Sequence, residues 1–258
     1  MGETSGIQWT NATFNPWWGC TKIPQVDGRP SACDFCYAER DSKRYGHDVW
    51  GHDAPRRELS EHNWNNPIRW NRKAEKEGKR LRVFSASMAD IFEDRRDLDA
   101  WRERLWKVIA ITPMLDWLLL TKRPWLMSRF TPESWKEGWP ANVWAGTTTE
   151  DQHWFDQRMA ALSKVPAKIR FVSAEPLFQS IDISQYSKHL SWVITGSESG
   201  WKARITEESW IQALKEQCVR AGIPFFYKQF TMPDKTVIHT PELDGRTWLE
   251  VPDSPAAV

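Results

Sequence analysis

Apolar residues along this chain gather in short runs separated by longer, more polar stretches. Leu81–Ala86, Asp116–Thr121, Val143–Thr147, Ile169–Ala174, Trp192–Thr195 and Pro224–Lys228 are apolar for most of their length and too short for ordinary helices. That is the pattern of parallel strands buried on both faces. Between several of them apolar residues recur at helical spacing: Leu98, Trp101, Leu105 and Val108, then Trp154, Met159 and Leu162, then Trp210, Leu214 and Cys218. The last of these is opened by Thr206-Glu207-Glu208 and closed by Gly222. Residues 7–14 alternate imperfectly and predict a short first strand, and Tyr37–Tyr45 predicts a helix that stops at Gly46. The alternation predicts an α/β fold: a full or partial (β/α) barrel of roughly six to seven parallel strands, with a doubly wound open sheet as the alternative. The barrel domain is expected over 1–230. The Pro-rich segment 231–258 is expected to pack on it as a C-terminal extension, with Leu243-Asp244-Gly245-Arg246-Thr247-Trp248 as a closing hairpin.

Composition changes this picture in two places. The chain has 258 residues, a net charge of +1 and a pI near 7.7, so its overall charge does not mark a polyelectrolyte binder. No apolar stretch approaches a membrane span and no early apolar run follows a basic start, which predicts a soluble, cytoplasmic protein that touches no membrane. The charge is unevenly spread, however. Residues 40–82 hold twelve Lys/Arg against seven Asp/Glu, a net of +5, interleaved with Trp50, Trp64 and Trp70. That mixture suits phosphates and bases. It suits a solvated helix face equally well, and Arg69, Arg72, Lys73 and Lys76 favour the latter. The second oddity is the presence of eighteen tryptophans. Trp106 and Trp210 sit at core spacing, whereas Trp17, Trp18 and Trp201 lie in Gly-containing turns, where a ring can stack on a substrate but more often packs under a long loop.

The chemistry centres on Cys20-x12-Cys33-x2-Cys36, which lies between the first strand and the first helix. Three thiolates fill three corners of a cubane iron–sulfur cluster and leave the fourth iron open. A structural zinc needs one more ligand, and redox or packing thiols are the third reading. In parallel barrels the carboxyl ends of the strands carry the chemistry. Polar groups recur there: Ser85, Ser87 and Asp90; Thr121-Lys122-Arg123; Ser173 and Glu175; Ser197 and Glu198; Lys228-Gln229. Glu175, Lys122 and Asp90 are the catalytic candidates, with Arg123, Trp17 and Trp18 as substrate contacts. Lys122 and Arg123 are anion binders by type. No nucleophile elbow, Walker loop, dinucleotide fingerprint or H-E-x-x-H motif is present.

A three-cysteine loop after the first strand of a (β/α) barrel resembles the radical S-adenosylmethionine superfamily. Phe35 occupies the aromatic position before the third cysteine, and Cys36-Tyr37-Ala38 resembles the spore photoproduct lyase-like members. The resemblance implies a [4Fe–4S] cluster on Cys20, Cys33 and Cys36, S-adenosyl-L-methionine on its open iron, and an external electron donor. Ser85, Ser87, Ser173, Gly196 and Glu198 fall at cofactor-contact positions. Two departures stand out: the x12 gap is longer than the common spacing, and Ser85-Ala86-Ser87 replaces the usual Gly-Gly-Glu stretch. Asn-Pro-Trp-Trp-Gly-Cys, Cys-Asp-Phe-Cys-Tyr-Ala-Glu, Ser-Met-Ala-Asp, Thr-Lys-Arg-Pro and Leu-Asp-Gly-Arg also resemble a phage-associated three-cysteine family. That family neighbours a three-Cys-motif partner protein. The expectation is therefore a radical enzyme acting on a nucleic acid or nucleotide. The alternative is a zinc- or cluster-stabilised nucleic-acid-binding or accessory module without catalysis.

Overall fold

The computed structural model describes residues 5–254. Eight strands form one sheet in the order in which they occur along the chain. They are β1 (Ala12–Thr13), β2 (Leu81–Ser85), β3 (Leu115–Thr121), β4 (Val143–Thr148), β5 (Arg170–Ala174), β6 (Trp192–Gly196), β7 (Phe225–Thr231) and β8 (Val237–His239). The sheet is mostly parallel, with α-helices or 3-10 turns between its parallel strands, so the α/β fold is the expected partial barrel. The described residues divide into two compact units, one of residues 5–145 with 165–168 and 254, the other of residues 146–164 and 169–253.

In the first unit β2 pairs in parallel with both β1 and β3, with Val83 opposite Ala12 and Trp117. Phe14 meets Trp64 and Trp117 edge-on at 5.4 and 5.7 Å, and all three rings are buried. This strand is shorter than residues 7–14 suggested. Thr10 donates its backbone N–H to the Ile7 carbonyl, and its hydroxyl turns onto the Ala12 and Arg82 carbonyls. Residues 7–10 therefore form a turn, and only Ala12–Thr13 reaches the ladder. Helix α1 (Tyr37–Arg44) follows the cysteines. Helix α2 (Asn66–Glu77) buries Trp70, Asn71 and Ala74 and exposes Arg72, Lys73 and Lys76. Helix α3 (Asp99–Ala110) buries Leu105, Val108 and Ile109.

The second unit repeats the pattern. β6 lies parallel between β5 and β7. Helix α4 (Gln152–Leu162) starts where the Asp151 carboxylate accepts the Trp154 N–H at 2.8 Å. Helix α5 (Glu208–Ala221) ends at Gly222, whose φ of 67° is the left-handed cap that the sequence signalled. β7 runs through residue 230 to Thr231, and β8 turns back antiparallel to it. Glu242–Leu243 and Arg246–Thr247 then form the expected hairpin around Asp244 and Gly245, both at positive φ. Among the described residues no helix is long and apolar enough to cross a membrane.

Candidate metal centre and polar strand ends

The cysteine loop of the first unit is held by buried polar ties. Asn15 is fully buried. Its amide donates to Ser87 Oγ at 3.0 Å, and its carbonyl oxygen accepts the Met88 N–H at 2.7 Å. Gly19 donates to the Met88 carbonyl at 3.0 Å. It has φ of 114°, and a Cβ there would collide with the Val49 carbonyl and the Arg56 side chain. No other residue type fits that approach. Beyond Cys20, Thr21 donates its N–H to Glu93 Oε1 at 2.8 Å. Arg56 grips Glu93 through two nitrogens at 2.9 and 2.6 Å and also bonds Thr21 Oγ1 and the Val49, Gly51 and Ala54 carbonyls. This buried hub fixes the Cys20 arm.

The arm with Cys33 and Cys36 is fixed separately. Cys36 is the N-cap of α1, and Tyr37 donates its hydroxyl to the Ser87 carbonyl at 2.9 Å. Glu39 is clasped by Lys22 at 2.6 Å and Lys43 at 2.7 Å. The long gap between the first two cysteines is closed by a pinch. Ser31 Oγ donates to the Ile23 carbonyl at 3.0 Å and accepts the Cys33 N–H at 3.1 Å. The hydrogen bond draws the two ends of the bulge at 24–30 together, and Gln25 within it bonds Asp34 at 3.1 Å.

All three loop cysteines are free thiols of intermediate exposure. Burial pushes the Cys20 thiol well above its ordinary range, Asp90 adds to this, and Arg123 opposes it. Burial also raises Cys36, opposed by a backbone bond from Glu39 and by the Lys122 ammonium. Cys33 adds a smaller upward push to both of the other thiols. Asp90 pairs with Arg123 at 2.7 Å and accepts the Thr121 hydroxyl at 2.7 Å. Arg123 extends to Cys20 Sγ at 3.8 Å and also reaches the Thr21 carbonyl. Among the described residues no three His, Cys, Asp or Glu side chains converge on one metal ion. Tetrahedral zinc holds its sulfurs only about 3.7 Å apart, whereas a cubane spreads three thiolates over three irons. Three reduced thiols with Arg123 and Lys122 nearby are a donor set whose chemistry suits a thiolate-bound cluster.

The other expected residues are placed as follows. Ser85 ends β2 with its hydroxyl buried and without a hydrogen-bond partner. Trp17 is fully buried against Trp101 at 5.9 Å, leaving no ring face to solvent. Trp18 is half-buried among Tyr45, His47 and Arg57. In the second unit, Glu175 follows β5, accepts the Ser173 hydroxyl at 3.1 Å and faces Lys228 Nζ at 2.9 Å. A Cβ on Gly196 would come within 3.1 Å of that carboxylate. Glu198 is already engaged by Arg204, through its backbone N–H and two guanidinium nitrogens. Cys218 lies buried in α5, its thiol pushed up to about 12 by burial. The Arg56–Glu93 hub is the feature that sequence reasoning missed, because nothing distinguishes Arg56 among the cations of its segment.

None of the curated proteins matches the sequence. Among solved structures, the chain is similar to a spore photoproduct lyase mutant with one cysteine changed to serine, at 12% identity and a TM-score of 0.52, covering 86% of this chain and 77% of that one. A second spore photoproduct lyase mutant, with one tyrosine changed to phenylalanine, is similar at 11% identity and a TM-score of 0.49, covering 82% of this chain and 74% of the other. At 12% identity the first likeness carries the fold alone, a partial barrel. A family model matches residues 4–252, nearly the whole chain, and the protein belongs to that family, described as Protein of unknown function (DUF5131).

Proposed function

We propose that this protein is an iron–sulfur, radical S-adenosylmethionine-like enzyme whose cluster is held by Cys20, Cys33 and Cys36. The observation that carries this reading is the loop itself: three free thiols on two separately anchored arms, with Arg123 beside the first and Lys122 beside the third. A [4Fe–4S] cluster with S-adenosyl-L-methionine would supply one-electron cleavage of the cofactor and hydrogen abstraction from a substrate, driven by an electron donor. The residues of the chain do the rest. The hub around Glu93 fixes the first ligand arm, and Tyr37 fixes the second against the loop after β2. Ser85 offers a buried hydroxyl with bonding capacity to spare, and Ser87 is set by Asn15. Both serve cofactor binding. Ser173 and Gly196 shape the carboxylate of Glu175, which with Lys228 can hold or pass a proton. Glu198, saturated by Arg204, contributes by fixing its loop.

The substrate class that best suits these groups is a nucleic acid or nucleotide. Lys122 supplies a cation at the cysteine loop, and Trp18 with Tyr45 and Arg57 supplies an aromatic and basic surface. A three-Cys-motif partner protein and a cytoplasmic setting complete the proposal.

Anaerobic purification with iron, sulfide and zinc analysis tests it. A brown protein with about four irons that bleaches with dithionite is expected, followed by cleavage of S-adenosylmethionine. A colourless protein carrying one zinc would overturn it in favour of a binding module.

A further inference from the structure

Resting on the cluster reading, we propose that Asp90 and Arg123 form a positioning pair for Cys20, clamping its arm and keeping a cation against its sulfur when that sulfur is a ligand. Both side chains are largely buried, and a buried ion pair is a poor source of stability on its own. This one has a more specific geometry. Asp90 Oδ1 accepts the Thr121 hydroxyl and the Phe92 N–H, and Oδ2 takes Arg123, so the carboxylate cannot turn. Arg123 donates its own backbone N–H to Thr121 Oγ1 at 2.9 Å, which closes a ring of three residues. From that ring the guanidinium fork points at the Cys20–Thr21 segment. One nitrogen bridges Asp90 and Cys20 Sγ, and the other holds the Thr21 carbonyl.

The neighbouring hub supplies the contrast. Arg56 grips the same arm through Glu93 and Thr21 but has no bond to a sulfur, and its six partners are all oxygens. Arg56 therefore carries the fold of the arm, while Arg123 adds charge where a ligated thiolate would otherwise be buried against Asp90. Ser87-Met88-Ala89-Asp90 ends on the carboxylate, and Thr121-Lys122-Arg123-Pro124 holds the hydroxyl and the guanidinium.

The test uses the full chain with Arg123→Gln and Arg123→Lys. In the reconstituted protein the cluster's midpoint potential, followed by electron paramagnetic resonance, is expected to fall in R123Q and to return towards the wild-type value in R123K, which keeps the charge. Equal potentials in all three would overturn the electrostatic role. In the unreconstituted protein, hydrogen exchange of the amides at 20–22 is expected to quicken about fivefold or more in both variants, with those of β2 unchanged. Unchanged exchange at 20–22 would overturn the clamp whether or not a cluster binds. A wild-type protein that takes up no cluster would overturn the cluster reading and, with it, the electrostatic role. Should R123Q not fold, Asp90→Asn releases the guanidinium while keeping its charge and is expected to quicken the same amides.

Discussion

The Cys20 arm hangs on one carboxylate. Glu93 receives Thr21 and both reaches of Arg56 in a setting where neither side chain is more than 3% exposed. Removing the arginine leaves that carboxylate buried and uncompensated, which costs about 3–5 kcal/mol. Arg56→Ala is therefore expected to lower the urea midpoint of the metal-free protein severely and to abolish iron uptake. Arg57→Ala, at an exposed position that makes only a cation–π contact with Trp18, is expected to leave stability nearly unchanged. The cysteines divide in the same way. Alanine at Cys20, Cys33 or Cys36 is expected to abolish iron retention, whereas Cys218→Ala, in the core of α5, is expected to cost stability and keep the iron. At this scale the sequence exposes ligands by residue type and spacing, so the three thiols were legible. Asp90 and Arg123 were visible as charged groups at strand ends, but not as partners of Cys20. Glu93 and Arg56 stand 37 residues apart, and nothing in either neighbourhood points to the other.

Elements were more legible than residues, for a reason that differs by type. Strands β2 to β7 are buried along most of their length, so each is a mostly apolar run too short for an amphipathic helix. The first strand was overread because alternation alone cannot foresee the Thr10 turn. Helix α5 was marked at both ends, and Gly222 is expected to be sensitive. Alanine in its left-handed conformation should cost about 1 kcal/mol, read as a lower thermal midpoint. Gly146 in β4 is stricter. A Cβ there would enter the Phe171 ring, so Gly146→Ala should cost more than Gly222→Ala, with overpacking worth about 1–3 kcal/mol. The reverse order of thermal midpoints would count against this packing of β4 on β5.

At the scale of the whole molecule, charge is the quantity that sequence states and structure redistributes. A net of +1 gives no general attraction to polyanions, and much of the basic segment is engaged internally. Arg56 is in the hub, Arg80 is on Asp116 at 2.8 Å, and Arg82 reaches the Trp9 carbonyl. The remaining cations of α2 are a solvated face. Any nucleic-acid affinity should therefore come from few phosphate contacts and have a shallow salt dependence. Lys122→Ala is expected to weaken binding to single-stranded DNA or RNA and to flatten the slope of log K against log salt by about one. No measurable affinity at low salt would remove nucleic acid as the substrate class. The helical spacing of Arg69, Arg72, Lys73 and Lys76 favoured a solvated face, and they are exposed; the charge count alone could not decide it. Counting cannot separate a cation that holds a carbonyl in the core from one that faces water.

The pinch between Ile23 and Ser31 has a consequence for what the spacing of the cysteines means. With the neck closed by a hydrogen bond, the length of the bulge from 24 to 30 is uncoupled from where the first and second cysteines stand. Lengthening a flexible loop is cheap, about 0.6 kcal/mol for each doubling. Four Gly/Ser residues inserted between Asp27 and Gly28 are accordingly expected to leave iron uptake and the thermal midpoint unchanged. The number of residues between Cys20 and Cys33 then says little about where the two sulfurs stand, and the anchors that hold them say more.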